Sequence, residues 1–463
     1  MTEDVTLADV ESDGAVDAFE LDPLACPGVF YPTQALDGVL SRIRTPGGLL
    51  TATQARVLAD VAEAYAGGTL TVTNRANVQL RALDERLPVE VLRRLQRAGL
   101  ASHQPAVDHL RNIMTSPTAG LDPDALLDTR PLVRVLDAYL EAHPELGVLS
   151  AKFSIGIDGG EHASIAAQPN DVLFSAFRDT AHDVRFRVYV RIGNDPTSVV
   201  DLGLALTSDQ VVPLTAALAD VYLTRTPADG TRPRLRQVLA DRSVDALRAD
   251  IAGRVPGLAQ ASPREFNPRP PHSPVGVHAQ VDDGVVYVGL APFLGALTST
   301  QLRGLADFAE RLGGGSLRLS PWRNVLVPDV SVADVEALQA GLDALGLASH
   351  AEALAAGIVA CAGRAGCGAG LVDTVRDAQA LSARLEGMPL AGAPTIHFTG
   401  CAKCCAQRRP ADVTLLGRAG DIETYDIFVA GEGDARLGRL VRTAVPAAAV
   451  VDAVAELLAE VGR

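Results

Sequence analysis

The tetrapeptide Thr51-Ala-Thr-Gln54 returns later in the chain as Thr298-Ser-Thr-Gln301, and Gly99-Leu-Ala-Ser-His103 returns as Gly346-Leu-Ala-Ser-His350. Both copies are displaced by the same 247 residues (298 − 51 and 346 − 99). Three further matches keep this spacing: Leu58-Ala-Asp60 with Leu305-Ala-Asp307, Glu63 with Glu310, and Asn77-Val78 with Asn324-Val325. An ungapped match of this length indicates an internal duplication.

Each copy predicts the same order of elements, a strand, a helix, a strand and a second helix. Apolar residues recur at helical spacing in both helices. In the first copy these elements are predicted at residues 39–44, 53–65, 69–80 and 88–98. Two related halves in one chain suggest a pseudo-twofold module, and a ligand at its axis would meet loops from both halves.

The two copies also mark the domain boundaries. A proline-rich stretch, residues 263–274, serves as a linker before the second copy. The chain therefore divides into a flexible N-terminus at 1–25, a first half-domain at 26–103, an α/β insert at 104–272, a second half-domain at 273–350 and a C-terminal α/β domain at 351–463.

Composition and charge restrict the class of protein. The 463 residues are enough for roughly three domains. A formal net charge of −15 argues against nucleic-acid binding, which needs clustered Lys and Arg, although a local group of arginines can still bind a small anion.

The sequence predicts neither export nor a membrane span. Residues 1–21 have no basic start and no apolar core, and no run of 18 uncharged apolar residues occurs. Clustered thiols without an export signal indicate a reducing compartment, so we expect a cytoplasmic protein.

The cysteines carry the clearest chemical signal. Five of the six lie in the last quarter of the chain: Cys361, Cys367, Cys401, Cys404 and Cys405. Thiolates in two close groups suit an iron–sulfur cluster. Structural zinc is the alternative, but five residues between Cys361 and Cys367 are too many for a zinc knuckle.

Together these segments resemble the sirohaem-type nitrite and sulfite reductases, and within that superfamily the precorrin-3B synthases of aerobic cobalamin biosynthesis. The resemblance covers nearly the whole chain after about Cys26. It rests on Cys26-Pro-Gly28, Leu40-Ser-Arg-Ile-Arg-Thr-Pro-Gly-Gly48, Leu70-Thr-Val-Thr-Asn-Arg-Ala-Asn-Val-Gln-Leu80, Arg111-Asn-Ile-Met-Thr-Ser-Pro117, Ser320-Pro-Trp-Arg323 and Gly400-Cys-Ala-Lys-Cys-Cys405.

The fold that this resemblance implies is α+β. It has two ferredoxin-like half-domain repeats and two α/β domains of the sirohaem-reductase type, the second of which carries the cysteines.

The resemblance assigns a 4Fe-4S cluster to Cys361, Cys367, Cys401 and Cys405. Cys404 stands where the family usually has a small residue, so by spacing alone it competes with Cys405 for the fourth position. In the sirohaem enzymes the thiolate that matches Cys405 also bridges the cluster to the haem iron. Cys26, in a Cys-Pro-Gly turn, is interpreted as structural.

Basic residues are the next set that the resemblance implies. Arg75, Arg111 and Lys152 match positively charged active-site residues of the reductases and are the candidate catalytic residues. The second lysine of the reductases is replaced by Ser154, which favours the synthase branch. The candidate residues for binding a polycarboxylate substrate are Arg44, Arg81 and Arg323.

Other residues near these segments have simpler interpretations. Arg408 and Arg409 follow the cysteines and either touch a ligand or belong to a solvated loop. Trp322 is interpreted as core packing. The histidines near interesting segments are interpreted as core or surface residues: His103, His109, His162 and His397.

The reaction that the synthase resemblance implies is an oxygen-dependent hydroxylation of precorrin-3A at C20 with γ-lactone formation. The cluster would pass electrons to a mononuclear non-haem iron, whose protein ligands do not form a recognisable sequence pattern. The alternative is a sirohaem-dependent assimilatory reductase of sulfite or nitrite.

The electron donor is expected to be a separate protein. The sequence has no glycine-rich nicotinamide fingerprint after a strand, so NADH would act through an external reductase or a ferredoxin.

Overall fold

The computed structural model describes residues 27–192, 199–350, 353–388, 394–434 and 436–461. The predicted flexible N-terminus at 1–25 and Cys26 lie outside these residues. Within the described part, no helix combines the length and the apolar composition that crossing a membrane requires.

The first half-domain folds around two helices and five short strands. A capping box starts the first helix, because the Thr51 hydroxyl accepts from Gln54 N while Gln54 Oε1 accepts from Thr51 N. The elements are β1 (Thr33–Ala35), β2 (Gly38–Ile43), β3 (Leu49–Thr51), α1 (Ala52–Tyr65), β4 (Thr69–Val72), β5 (Val78–Leu83) and α2 (Val89–Arg97).

The insert forms a six-stranded mixed sheet with helices against it. Its strand order is β11-β10-β9-β8-β7-β6. The elements are β6 (Ile113–Thr115), α3 (Arg130–Ala142), β7 (Ile155–Asp158), β8 (Val172–Arg178), β9 (Val184–Arg191), β10 (Val199–Leu206), α4 (Val211–Arg225), α5 (Leu235–Val238), α6 (Val244–Ala252) and β11 (Ala259–Gln260).

The second half-domain repeats the first. Thr298 and Gln301 form the same capping box at the start of its long helix. The elements are β12 (Gly276–Ala279), β13 (Val285–Leu290), β14 (Ala296–Thr298), α7 (Ser299–Leu312), β15 (Ser316–Leu319), β16 (Val325–Ser331) and α8 (Val335–Ala344).

The C-terminal domain is a five-stranded sheet in the order β17-β18-β19-β20-β21, parallel over its first three strands. The elements are α9 (Leu354–Gly357), β17 (Ile358–Ala360), α10 (Gly363–Gly366), α11 (Thr374–Leu385), β18 (Ile396–Thr399), β19 (Val413–Arg418), β20 (Thr424–Asp434), β21 (Gly438–Pro446) and α12 (Ala447–Val461).

The two half-domains exchange one strand each. The sheet orders are β1-β2-β5-β4-β14 and β12-β13-β16-β15-β3, so β14 completes the first sheet and β3 completes the second. The registers match across the duplication, with Thr298 opposite Thr69 and Thr51 opposite Ser316. A single apolar core runs through both halves, which makes them one module.

Reciprocal ion pairs join α1 to α7 across the pseudo-twofold axis. Arg56 contacts Asp307 and Glu310, each at 2.7 Å. The equivalent Arg303 contacts Asp60 at 2.7 Å and also Glu63. The predicted duplication is therefore visible in individual side chains.

Two predicted elements are wrong in detail. The single strand predicted at 69–80 is a hairpin, β4 and β5, because the Thr73 hydroxyl accepts from Arg75 N and Asn77 N and closes a tight turn. In the insert the sequence also predicts one helical segment at 232–252, but the structure has two helices there, α5 and α6, since the Ser243 hydroxyl accepts from Ala246 N and starts a new helix.

Candidate functional site

A cavity of about 940 Å³ opens between the duplicated module, the insert and the C-terminal domain. Ten cationic side chains line it: Arg42, Arg44, Arg75, Lys152, Arg191, Arg234, Arg236, Arg323, Arg408 and Arg409. Among the described residues, Asp171 is the one carboxylate in the lining. Such an excess of positive charge suits a ligand with several anionic groups.

The two half-domains place the same tight turn against this cavity. In the first turn, Thr73 N donates to Asn77 O at 2.8 Å, and the Thr73 hydroxyl accepts from Asn77 N at 3.1 Å. In the second, Ser320 N donates to Asn324 O at 2.9 Å, and the Ser320 hydroxyl accepts from Asn324 N at 3.0 Å. The cavity therefore receives equivalent loops from both halves.

Arg75 and Trp322 occupy equivalent positions in these turns, and both line the cavity. Arg75 Nη1 donates to Asn170 Oδ1 of the insert at 2.7 Å. Trp322 packs against a small apolar cluster that includes Met114 and Leu173. The tryptophan thus combines the predicted packing role with a place in the cavity wall.

The insert supplies a pair of residues with different surroundings. Lys152 is exposed on the cavity wall. Ser154 is buried, and its hydroxyl donates to Asp171 Oδ2 at 3.1 Å. The side chain at position 154 therefore holds a neighbouring carboxylate instead of contributing a charge to the cavity.

Four arginines surround Asp171 at this end of the cavity. Arg234 Nη2 lies 3.4 Å from Asp171 Oδ1, and Arg191 Nε donates to Asn170 O at 3.3 Å. Burial lowers the pKa of Arg191; Asp171 opposes this shift, and nearby cations, Arg408 first, add to it. The group is Arg191, Arg234, Arg236 and Arg408, and the sequence prediction missed its first three members. The spacing Arg232-Pro-Arg-Leu-Arg236 was the available signal.

The predicted cluster cysteines converge beside the cavity. Cys361 follows β17, and its sulfur accepts from Gly400 N at 3.2 Å. The pKa of the Cys405 thiol is raised by partial burial and then by neighbouring thiols, in the order Cys401, Cys361 and Cys367. Cys405 also lines the cavity.

Cys404 has a separate environment. Its side chain is 1% exposed, and its backbone takes a left-handed φ of 48°. Burial raises the pKa of its thiol; Arg436 and Thr399 oppose this shift, and Asp434 and Cys401 add to it. Cys405 is influenced by Cys401, Cys361 and Cys367, so its thiol has the closer association with the other predicted ligands.

These residues fit an iron–sulfur cluster. Thiols from two segments lie close enough for Cys401, Cys361 and Cys367 to raise the pKa of Cys405, and soft sulfur donors are what such clusters require. Gly400 N supplies the kind of hydrogen bond to sulfur that tunes cluster potentials, while the Thr374 hydroxyl donates to the Cys361 carbonyl at 2.7 Å.

Two predicted basic residues lie outside the cavity lining. Arg111 is buried and makes paired bonds of 2.8 and 2.9 Å to the Asp137 carboxylate. Arg81 makes paired bonds of 2.9 Å to Asp37 and donates to Gly366 O at 2.6 Å, next to Cys367. The catalytic role of Arg111 and the substrate-binding role of Arg81 stay predictions. Both guanidinium groups already bind a carboxylate of this chain, which argues against these roles.

Arg44 and Arg323 do line the cavity. Arg44 is 2% exposed, and its Nη2 donates to Pro27 O at 3.2 Å. Arg323 Nη1 donates to Ala360 O at 3.1 Å. Both guanidinium groups are therefore held by backbone carbonyls at the edge of the site.

One group of possible metal ligands occurs elsewhere in the described residues. Single ligand atoms of Asp122, Asp124 and His162 lie within 4.8 Å of one another, and Asp124 and His162 are exposed. Asp122 already accepts from His162 N at 2.7 Å. The ligands of the predicted mononuclear iron therefore stay undefined.

Comparison with known proteins gives the family. The model of the nitrite and sulphite reductase 4Fe-4S domain matches residues 106–256, and the nitrite/sulfite reductase ferredoxin-like half domain matches 32–98 and 278–345. A ferredoxin–nitrite reductase of Synechococcus elongatus is 32% identical, over 94% of this chain and 88% of the relative.

The chain belongs to the nitrite and sulfite reductase family.

Two further comparisons agree with this assignment. A ferredoxin-dependent sulfite reductase of Mycobacterium tuberculosis is 27% identical over 87% of this chain and 75% of the relative. The structure of the Mycobacterium tuberculosis NirA protein superposes with a TM-score of 0.74 at 25% identity, covering 90% of this chain and 79% of that one. The predicted fold, with two ferredoxin-like half-domains, is confirmed. The protein is an oxidoreductase of this family with an iron–sulfur domain.

Proposed function

We propose that this protein is a sirohaem-dependent reductase of nitrite or sulfite that receives electrons through a 4Fe-4S cluster. One observation carries the proposal: Cys405 and ten cationic side chains line the same cavity. A cluster at the cysteines would thus adjoin a site suited to a polycarboxylate tetrapyrrole. The similarity to nitrite and sulfite reductases along most of the chain supports this function.

Cys361, Cys367, Cys401 and Cys405 would hold the cluster. The arginines around Asp171, together with Arg44, would bind the tetrapyrrole carboxylates, for which planar guanidinium groups are well shaped. The cluster supplies single electrons, and sirohaem supplies the metal centre for oxyanion reduction.

The protein's own residues would hold the small anion. Arg75 is oriented by Asn170, and Lys152 is exposed at the cavity wall, so both can place positive charge beside a bound oxyanion. The ammonium group of Lys152 can also carry a proton at Nζ to a reduced oxygen atom. With Ser154 directed to Asp171, the anion site has one lysine.

Ser154 supports a second candidate, a precorrin-3B synthase. A site with fewer charges for a small oxyanion and many arginines for carboxylates also suits precorrin-3A as a substrate. In that case the tetrapyrrole occupies the cavity as substrate, oxygen is the co-substrate, and a mononuclear non-haem iron is required in addition to the cluster.

A pair of assays separates the two functions. Protein purified anaerobically and supplied with sirohaem is mixed with reduced ferredoxin and either nitrite or sulfite. If the protein is a reductase, we expect oxidation of ferredoxin that depends on nitrite or sulfite. Lack of this activity, with oxygen-dependent formation of a lactone from precorrin-3A, would overturn the reductase in favour of the synthase.

We also propose an acidic electron carrier, a ferredoxin, as the donor. The two cysteine segments, 361–371 and 400–411, contain four cations and no Asp or Glu, although the chain as a whole is acidic. Arg408 and Arg409 line the cavity, whereas Arg364 and Lys403 lie outside its lining and are exposed, as is Cys367. Positive charge where the cluster would lie nearest the surface favours an acidic partner.

A further inference from the structure

We propose that Arg323 is a positioning residue for the iron–sulfur cluster, which ties the two cysteine segments together and supplies the buried positive charge that sets the cluster's reduction potential. This inference rests on the proposed binding of the cluster. It gives Arg323 a role different from the substrate binding that the sequence predicts.

The guanidinium group of Arg323 reaches both cysteine segments. Its Nη1 donates to the carbonyl of Ala360, the residue before Cys361, at 3.1 Å. Its Nη2 lies 3.5 Å from the carbonyl of Ala406, the residue after Cys405. One planar side chain from the second half-domain therefore bridges the residues next to the first and last of the four proposed cluster ligands.

The duplication shows that only the second half-domain, which faces the cysteines, has an arginine at this position of the turn. Arg323 has a φ of 67°, and Ala76, its equivalent in the first half-domain, has a φ of 54°. The fold thus places the same left-handed residue in both turns. An alanine is sufficient for the turn itself, so the long cationic side chain at 323 serves something beyond the turn.

The space that the aliphatic part of the Arg323 side chain occupies depends on a nearby glycine, Gly295. Gly295 has a φ of 75°, and a Cβ there would lie 2.7 Å from Arg323 Cβ. The equivalent Gly48 would place a Cβ 3.1 Å from Ala76 Cβ. Close approach of glycine to the left-handed residue is therefore common to both halves, and in the second half it leaves room for the Arg323 stem, whose Cδ would lie 3.0 Å from a Cβ at Gly295.

The charge of Arg323 lacks a carboxylate counter-charge. Among the described residues, no Asp or Glu forms an ion pair with it. Burial lowers its pKa to about 10, and the Cys361 thiol opposes that shift, so the guanidinium group remains charged at neutral pH. A buried cation needs a nearby anion, and the cluster sulfurs would provide it.

His397 lies near Arg323. Its side chain is fully buried, and both ring nitrogens have no hydrogen-bond partner among the described residues. Burial, and then the charge of Arg323, lower its pKa to about 4, so the imidazole is neutral at neutral pH. Arg323 is therefore the charged member of this buried pair.

A cluster held by four thiolates becomes more negative when it is reduced. A buried cation beside it stabilises the reduced form more than the oxidised form and raises the reduction potential. Arg323 would in this way ease electron entry to the cluster.

The test is a redox titration of the cluster, followed by EPR, in the full-length protein and in Arg323→Gln and Arg323→Lys. We expect Arg323→Gln to shift the midpoint potential to more negative values and Arg323→Lys to stay near the parent, because lysine keeps the charge. Arg323→Lys reaches fewer carbonyls, so a chelator should remove its cluster several times faster. The matched control is Arg318→Gln, which removes a buried guanidinium group from the same hairpin, and it should leave the potential unchanged.

An unchanged potential in Arg323→Gln, or an equal shift in Arg323→Lys, would overturn the role of the charge. If Arg323→Gln retains no cluster, the test passes to Arg323→Lys. Loss of the cluster to a chelator at the same rate in Arg323→Lys as in the parent would then overturn the positioning role. The readout needs neither sirohaem nor turnover. Absence of a cluster in the parent protein would instead contradict the proposed function.

Discussion

Cys404 and Cys405 are neighbours in sequence with opposite surroundings. Spacing alone leaves them as competitors for the fourth cluster position. Cys404 is buried, with a left-handed φ of 48°, whereas Cys405 is exposed and influenced by Cys401, Cys361 and Cys367. Burial of one thiol of an adjacent pair is a property of the fold, which the spacing does not reveal.

We expect Cys405→Ser to lose the 4Fe-4S cluster that this residue would help to hold, since a serine oxygen is a poor replacement for a thiolate ligand of iron. Cys404→Ser should retain a full cluster, with some loss of stability from a polar atom in an apolar position. Iron and acid-labile sulfide measured per chain check both. Cluster loss in Cys404→Ser alone would reverse the assignment.

The chain contains two lysines, Lys152 and Lys403, which makes each a control for the other. Lys152→Gln should lower kcat/KM for the oxyanion by about 100-fold, because it removes a charged donor from the cavity. Lys403→Gln should leave the affinity for the oxyanion unchanged with an artificial electron donor. Steady-state kinetics with methyl viologen measure both. Equal losses in the two variants would contradict the role of Lys152.

At the same scale, the roles of basic residues were the least predictable. Arg75 and Lys152 lie in the cavity as the resemblance implies. Arg111 and Arg81 are instead held by Asp137 and Asp37, which are remote in sequence, so no local pattern marks the pairing. A long arginine side chain can reach several carboxylates or carbonyls, and only the fold determines which of these groups is close.

The elements of the duplicated module were predictable where the apolar period is regular. The helices α1 and α2 and the strand β2 lie within a residue or two of their predicted positions. The hairpin between β4 and β5 was missed because its turn contains no glycine or proline. It depends instead on the side chain of Thr73 and on the left-handed Ala76.

The strand exchange between the half-domains depends on a glycine that a matched pair of variants can test. A Cβ at Gly48, where φ is 70°, would lie 2.3 Å from the carbonyl oxygen of Leu319, whereas Gly315 has the same φ of 70° and open space around it. Gly315→Ala should cost roughly 1–2 kcal/mol, the conformational penalty alone. Gly48→Ala should cost clearly more.

Chemical denaturation measures both free energies of unfolding. Equal costs for the two variants would show that β3 and β15 can move apart without penalty, contrary to the shared core.

At the scale of the whole molecule, the repeat spacing revealed the duplication but not how its halves combine. The ungapped match predicts two equivalent units. It does not predict that β3 and β14 cross between sheets, since strand pairing is a property of the assembled fold. The cavity forms where that module meets the insert and the C-terminal domain, so its arginines come from segments far apart in sequence.

The proposed donor surface can be tested by zero-length cross-linking. A carbodiimide joins amines to carboxylates, so the carboxylates of an acidic partner can link to the amines of this chain, which are Lys152, Lys403 and the N-terminal amine. We expect an acidic ferredoxin to cross-link through Lys403 at low ionic strength, with a yield that falls as salt screens the attraction. Peptide mass spectrometry identifies the linked residue.

Lys403→Gln should abolish that product, while Lys152→Gln should leave it unchanged. Ferredoxin linked only through the N-terminal amine would place the donor elsewhere.

The central claim is that an iron–sulfur cluster adjoins a cavity for a tetrapyrrole. The most direct test is the absorption spectrum of anaerobically purified protein during titration with sirohaem. We predict a broad iron–sulfur shoulder at the start and intense haem bands that saturate at one sirohaem per chain. A protein with no iron–sulfur absorption, or one whose spectrum shows no saturable binding of sirohaem, would contradict the account.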